Sequence, residues 1–72
     1  MEYKTIAINT PYIRLNDLLK WAGEAVTGGQ AKTMIQEGAV LIDGEPCFMR
    51  GKKIYPGDVI TVEDIAIEVT AA

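Results

Sequence analysis

Two apolar stripes of helical period, followed by an abrupt change to short strand-like runs, limit what this chain can fold into more than any other feature. Leu15, Leu18, Leu19 and Ala22 fall at i, i+3, i+4 and i+7, and Gly23 follows as a natural C-terminal stop. Ala31, Met34, Ile35 and Gly38 repeat that spacing, and Thr27 with Gln30 supplies the T-x-x-Q pattern of a capping box just before them. Each stripe predicts a short helix with one core-facing side. Beyond Gly38 the period falls to two. Ala39–Ile42 reads as an apolar strand, and Asp43-Gly44 is the signal of a tight hairpin leading into Glu45–Met49, with Pro46 expected at a sheet edge or bulge. Arg50-Gly51-Lys52-Lys53 reads as a basic loop or irregular strand. Pro56-Gly57-Asp58 reads as a turn that launches Val59–Val62, and Glu63-Asp64 as a turn into the alternating Ile65–Val69. Tyr3–Ile8, stopped by Asn9-Thr10-Pro11, is a strand ahead of both helices. The order predicts an α+β fold, with two short helices packed on one side of a small antiparallel sheet of about four to five strands.

At 72 residues there is room for one domain, expected over 1–72 with its core motif at about 12–62. A chain of this size buries only ~60% of its unfolded surface, so function is expected on the outside of a modest core. Nucleophilic catalysis needs a base beside the nucleophile, yet the sequence has no Ser and no His. The single Cys47 excludes an intramolecular disulfide, and without His a self-contained zinc site is not expected. Cys47 itself falls in a predicted strand, where a small buried hydrophobe is the preferred reading over a reactive thiol. No phosphate-loop or calcium-loop spacing occurs, and so short a chain hardly encloses a drug-sized cavity. The expectation is therefore a protein without catalysis, cofactor or small-molecule substrate. The first residues lack the basic and apolar regions of a signal peptide, and no apolar stretch approaches the ~20 residues that span a bilayer. A cytoplasmic protein with no membrane partner is expected.

The net charge of −3 is unevenly spread. From Arg14 to Lys53 six basic residues meet five acidic ones, a net of +1, whereas from Ile54 onward Asp58, Glu63, Asp64 and Glu68 meet no base. Arg14, Lys20, Lys32, Arg50, Lys52 and Lys53 thus bracket the helix pair and the hairpin, the distribution expected of a patch that tracks a phosphate backbone. Trp21 either stacks on a base or caps the core edge, and the core is the preferred reading. Gly28-Gly29 stands at the mouth of the second helix, flanked by Gln30 and Lys32. Two readings stay open there: free backbone N–H groups that accept a phosphate, or a tight turn between closely packed helices.

Taken together, Arg14-Leu15-Asn16, Gly28-Gly29-Gln30-Ala31-Lys32, Ile35-x-x-Gly38-Ala39-Val40-Leu41-Ile42-Asp43-Gly44 and the late Pro56-Gly57-Asp58 resemble the S-four-type RNA-binding domain, named for a small-subunit ribosomal protein. Two departures from the common pattern, Gly28-Gly29 for a Ser-Arg pair and Asp43 for the hairpin Asn, resemble the stand-alone bacterial subgroup of YaaA-like and YbcJ-like proteins. The resemblance implies binding of structured RNA, ribosomal or transfer RNA, by the helix pair and the adjoining hairpin, in ribosome assembly or translation. Read with the charge distribution and the glycine pair, the expected RNA site is Arg14, Lys20, Gly28, Gly29, Gln30, Lys32, Arg50, Lys52 and Lys53, on a protein expected to be a monomer. Two alternatives are a β-grasp protein of sulfur-carrier type and a protein-interaction module. Against the carrier, the sequence ends in Ala71-Ala72 and both helices precede the Asp-Gly hairpin.

Overall fold

The computed structural model describes residues 2–72; Met1, the first residue of the expected domain, lies outside them. The chain runs β1 (Glu2–Ile8), β2 (Ile13–Arg14), α1 (Leu15–Trp21), α2 (Gly28–Gln36), β3 (Val40–Ile42), β4 (Glu45–Pro46), β5 (Lys53–Ile54), β6 (Val59–Val62) and β7 (Ile65–Ala71). Five strands form one sheet in the order β1-β7-β6-β3-β4, and β2 pairs with β5 in a separate two-stranded ladder. The α+β class, the helix pair and the strand count agree with the sequence reading. The sheet, however, is mixed: β1 runs parallel to β7, from Glu2 opposite Ile65 to Ile8 opposite Ala71, while the other pairs are antiparallel. Side-chain alternation is the same for either strand direction, so the pattern of Tyr3–Ile8 carries no sign of the parallel pairing.

Register places Ile6 and Ile8 on one face of this sheet with Ile67, Val69, Ile60, Val62, Val40 and Ile42. Against that face pack the predicted helical stripes, Leu15, Leu18, Leu19 and Ala22 from α1 and Ala31 and Ile35 from α2. The opposite face carries Tyr3, Thr5, Thr61, Glu68 and Thr70, and among the described residues no helix or strand covers it. Lys4, on the core-facing side of the edge strand β1, does not enter the core. Its Nζ donates to the Ala22 carbonyl and to Glu24 Oε2, each at 3.0 Å, closing the C-terminal end of α1 and pairing an edge-strand cation inward.

Local chemistry explains the boundaries. Thr27 caps α2 by accepting from the Gln30 N–H at 3.1 Å, and Gln30 Oε1 reaches back to the Val26 N–H at 2.8 Å, one residue earlier than in the usual reciprocal box. Asp43 and Gly44 both have positive φ, 50° and 90°, as a two-residue hairpin with the right twist requires. The Asp43 side chain adds a bond, accepting from the Val59 N–H at 3.1 Å. Gly38 ends α2 at φ 77°, and a β-carbon there would stand 3.3 Å from the Phe48 ring. In Glu45–Met49 the strand itself ends at Pro46, which occupies the sheet edge as predicted, and one further backbone bond follows, from the Cys47 N–H to the Val40 carbonyl at 3.0 Å.

Gly38→Ala is expected to destabilise the domain by about 1–2 kcal/mol through the left-handed backbone alone, with a further contribution from displacing Phe48. Thr27→Ala is expected to cost ~1 kcal/mol by releasing the cap. Thermal unfolding followed by circular dichroism checks both, since each ~1 kcal/mol lowers Tm by roughly 4–8 °C in a domain of this size.

Candidate nucleic-acid interface

Helix α1 begins without a side-chain cap. Arg14 stands at its N-cap in extended conformation and makes no capping bond with its side chain. The first-turn donors are met from across the chain: the Leu15 N–H donates to the Lys52 carbonyl at 2.9 Å and the Asn16 N–H to the Arg50 carbonyl at 3.1 Å. The basic connection is thus laid directly on the start of α1. The ladder between β2 and β5 extends the contact, with Ile13 opposite the fully buried Ile54 and Arg14 opposite Lys53.

This pairing sets two like charges across one ladder, at the Cβ separation of ~5 Å where like charges repel. No described ion pair relieves them. Among the described residues the ion pairs are Lys4 with Glu24 at 3.0 Å and Lys20 with Asp17 at 3.6 Å, leaving Arg14, Lys32, Arg50, Lys52 and Lys53 without a carboxylate partner. All five are exposed. Lys53 has one defined contact, its Nζ lying 4.9 Å from the centroid of the Tyr12 ring, and Tyr12 in turn packs tilted against Tyr55 at 6.0 Å.

The remaining expected site residues occupy other places. Lys20 lies in the last turn of α1, beside Asp17, at the opposite end of the helix from the Arg50–Lys53 segment. Lys32 projects from α2, and no described hydrogen bond or ion pair links it to that segment. Gly28 and Gly29 open α2 with ordinary helical backbone; a β-carbon would meet nothing within 4 Å at Gly28 and only Thr27 Oγ1, at 3.8 Å, at Gly29. Close helix packing therefore does not require glycine at either position, and the tight-turn reading loses its physical basis. The first-turn N–H groups of both glycines have no described acceptor. Gln30, expected to flank the opening, is held by the cap it forms with Val26.

Trp21 is a correction. The residue is 59% exposed instead of capping the core, because the α1 stripe of Leu15, Leu18, Leu19 and Ala22 already fills the sheet-facing side. Cys47 lies just past β4, half-buried against the core, with Sγ 3.6 Å from the Met49 carbonyl. The sequence reading passed over Tyr12, Phe48, Met49 and Tyr55. Their signal was the interleaving of aromatic with basic residues from Phe48 to Tyr55, which becomes meaningful only once β2 and β5 pair. No cluster of His, Cys, Asp or Glu suited to a metal ion occurs among the described residues, and no described helix is long and apolar enough to cross a membrane.

Comparison with known proteins agrees with this architecture. The chain is 43% identical over 58 residues to a Bacillus subtilis (strain 168) protein named "Probable ribosome maturation protein RlbA", covering 81% of this chain and 82% of that one. It is 36% identical over 61 residues to YbcJ of Escherichia coli (strain K12), covering 85% and 87%. The solution structure of E. coli YbcJ, described as revealing an alfaL motif involved in RNA binding, superposes with a TM-score of 0.69 at 32% identity, over 99% of this chain and 89% of that one. A sequence model described as the S4 domain matches residues 6–70. With that model matched over most of its length and two relatives above 30% identity, the chain belongs to the S4 domain family.

Proposed function

We propose that this protein binds structured RNA, ribosomal or transfer RNA, through phosphate contacts made by Arg14, Lys32, Arg50, Lys52 and Lys53, with Lys20 joining from the far end of α1. The observation that carries this reading is the unrelieved apposition of Arg14 and Lys53, with Lys52 and Arg50 fastened beside them by the α1 N-terminus. A polyanion is the ligand that turns this repulsion into attraction. Gly28 and Gly29 let a phosphate approach the free N–H groups of the first turn of α2, at the end of the helix dipole that favours an anion. Gln30 supports that approach by holding the turn. The name of the B. subtilis relative supports a setting in ribosome maturation, and that of the E. coli relative, a putative RNA-binding protein, supports RNA as the ligand. In this reading residues 1–72 form one domain, acting as a cytoplasmic monomer with no catalysis, cofactor, membrane or small-molecule substrate.

Titration with structured RNA at several salt concentrations tests the charge reading. With six basic side chains on phosphates, log affinity is expected to fall against log salt with a slope of about −4 to −5, at ~0.7 to ~0.9 per phosphate. The Lys52→Ala, Lys53→Ala double variant is expected to weaken binding and flatten that slope by up to about two units, while Glu63→Gln and Glu68→Gln leave it unchanged or tighten binding. Binding by the double variant equal to the parent at every salt concentration rules this surface out.

The glycines have a separate signature. Gly28→Ala with Gly29→Ala is expected to raise stability by up to ~1 kcal/mol per site, because alanine is the better helix former and its Cβ meets open space. The same change is expected to weaken RNA binding by filling the approach to the amides. A gain in Tm with unchanged affinity would show that RNA does not approach α2 there.

A further inference from the structure

The surface between the hairpin and the basic connection is hollow. A groove of about 750 Å³, open to solvent, lies between β3–β4 and the segment from Cys47 to Asp58, within the size range of ~300–1,000 Å³ typical of ligand sites. Its walls include Pro46, Phe48, Met49 and Tyr55, and Lys52 and Lys53 stand at its side. Phe48 and Tyr55 keep 62% and 48% of their surface exposed, an arrangement that costs hydration free energy unless another molecule covers it. Both rings are held from behind. Phe48 rests on the bare backbone of Gly38, and Tyr55 packs against Tyr12, itself covered by the Lys53 ammonium.

We propose that this groove takes an unpaired nucleotide of the bound RNA, its base stacked on the Phe48 and Tyr55 rings and its phosphate held by Lys52 and Lys53. The inference rests on the RNA-binding reading above and extends it from the phosphate backbone to a base. Exposed aromatic rings beside lysines without carboxylate partners form the combination that stacks bases while tracking a single strand. The carboxylates on the walls fix which part of the nucleotide goes where. Asp43 and Asp58 each accept a backbone N–H, from Val59 at 3.1 Å and Tyr55 at 2.9 Å, so their orientation is set by the fold. Glu45, the third, has no described partner. Asp43 and Glu45 on the hairpin wall, with Asp58 at the end of the facing segment, repel a phosphate, which directs it to the lysines. Glu45 is left to accept from an exocyclic amino group of adenine, cytosine or guanine, which uracil lacks.

The test compares two RNA probes at one salt concentration, a hairpin with a seven-nucleotide loop and a blunt duplex of the same stem. Variants Phe48→Leu and Tyr55→Leu keep apolar bulk and every charge, and their Tm values establish folding. Each is expected to weaken hairpin binding by about 5- to 100-fold, the worth of one stacked base, while leaving duplex binding and the salt slope of the parent. With 2-aminopurine placed in turn at each loop position, stacking is expected to quench its fluorescence at one position, and Phe48→Leu to restore it. Unchanged hairpin affinity in both variants, with the steep salt slope retained, overturns the groove and leaves the phosphate-binding surface standing. Absence of salt-dependent binding to either probe overturns both together.

Discussion

The hydrogen bonds from the Leu15 and Asn16 N–H groups to the Lys52 and Arg50 carbonyls are the contact on which the functional surface depends. A helix start buried without partners costs free energy for every orphan donor, and α1 has no side chain to meet them. The chain meets that demand with backbone from a segment some 35 residues away in sequence, and in doing so gathers its densest cationic group beside Arg14. The short β2–β5 ladder and the full burial of Ile54 hold the arrangement in register.

Once that contact is made, charge and apolar surface separate by location. The surplus acid lies in β7 and in the turns on either side of β6, whereas the unpaired cations lie along α1's N-terminus and on α2. Lys4 and Lys20, the basic residues that do have carboxylate partners, stand apart from the cationic cluster. Several rings accompany the cations: the exposed Tyr55 and Phe48 border one groove with Lys52 and Lys53, the half-buried Tyr12 lies beneath Lys53, and the exposed Trp21 follows Lys20 at the end of α1, while the exposed Tyr3 stands apart on β1. A segment that exposes aromatic rings and like charges together opposes folding locally, and such conflicts with the rest of the fold are expected where a protein meets its ligand. Gly28-Gly29 belongs to the same class, since two glycines weaken the first turn of a helix that nothing prevents from carrying alanine.

Elements whose information is local were legible in the sequence. The two stripes, the Thr27 cap, the Asp43-Gly44 hairpin and the edge position of Pro46 each depend on residues within a few positions of one another, and each stands where periodicity and turn chemistry put it. Of the candidate site, the identities of the cations were legible, but their grouping was not. Arg14 and Lys53 become neighbours only through a two-residue ladder too short to leave a periodic signal, and Gln30 is drawn into a cap that its spacing announced while its other expected role was external.

The sequence by itself determined the α+β class, the helix faces, the hairpin and the location of the surplus acid, because these follow from periods of 3.6 and 2, from left-handed turn positions and from simple charge order along the chain. Tertiary structure alone decided that β1 lies parallel to β7, that Trp21 faces solvent, and that Phe48 and Tyr55 border one groove with Lys52 and Lys53. The physical reason is common to all three. Each outcome depends on which distant segment satisfies a free backbone edge, a filled core face or an uncapped helix end, and that choice is made by competition among contacts that no local window of sequence contains.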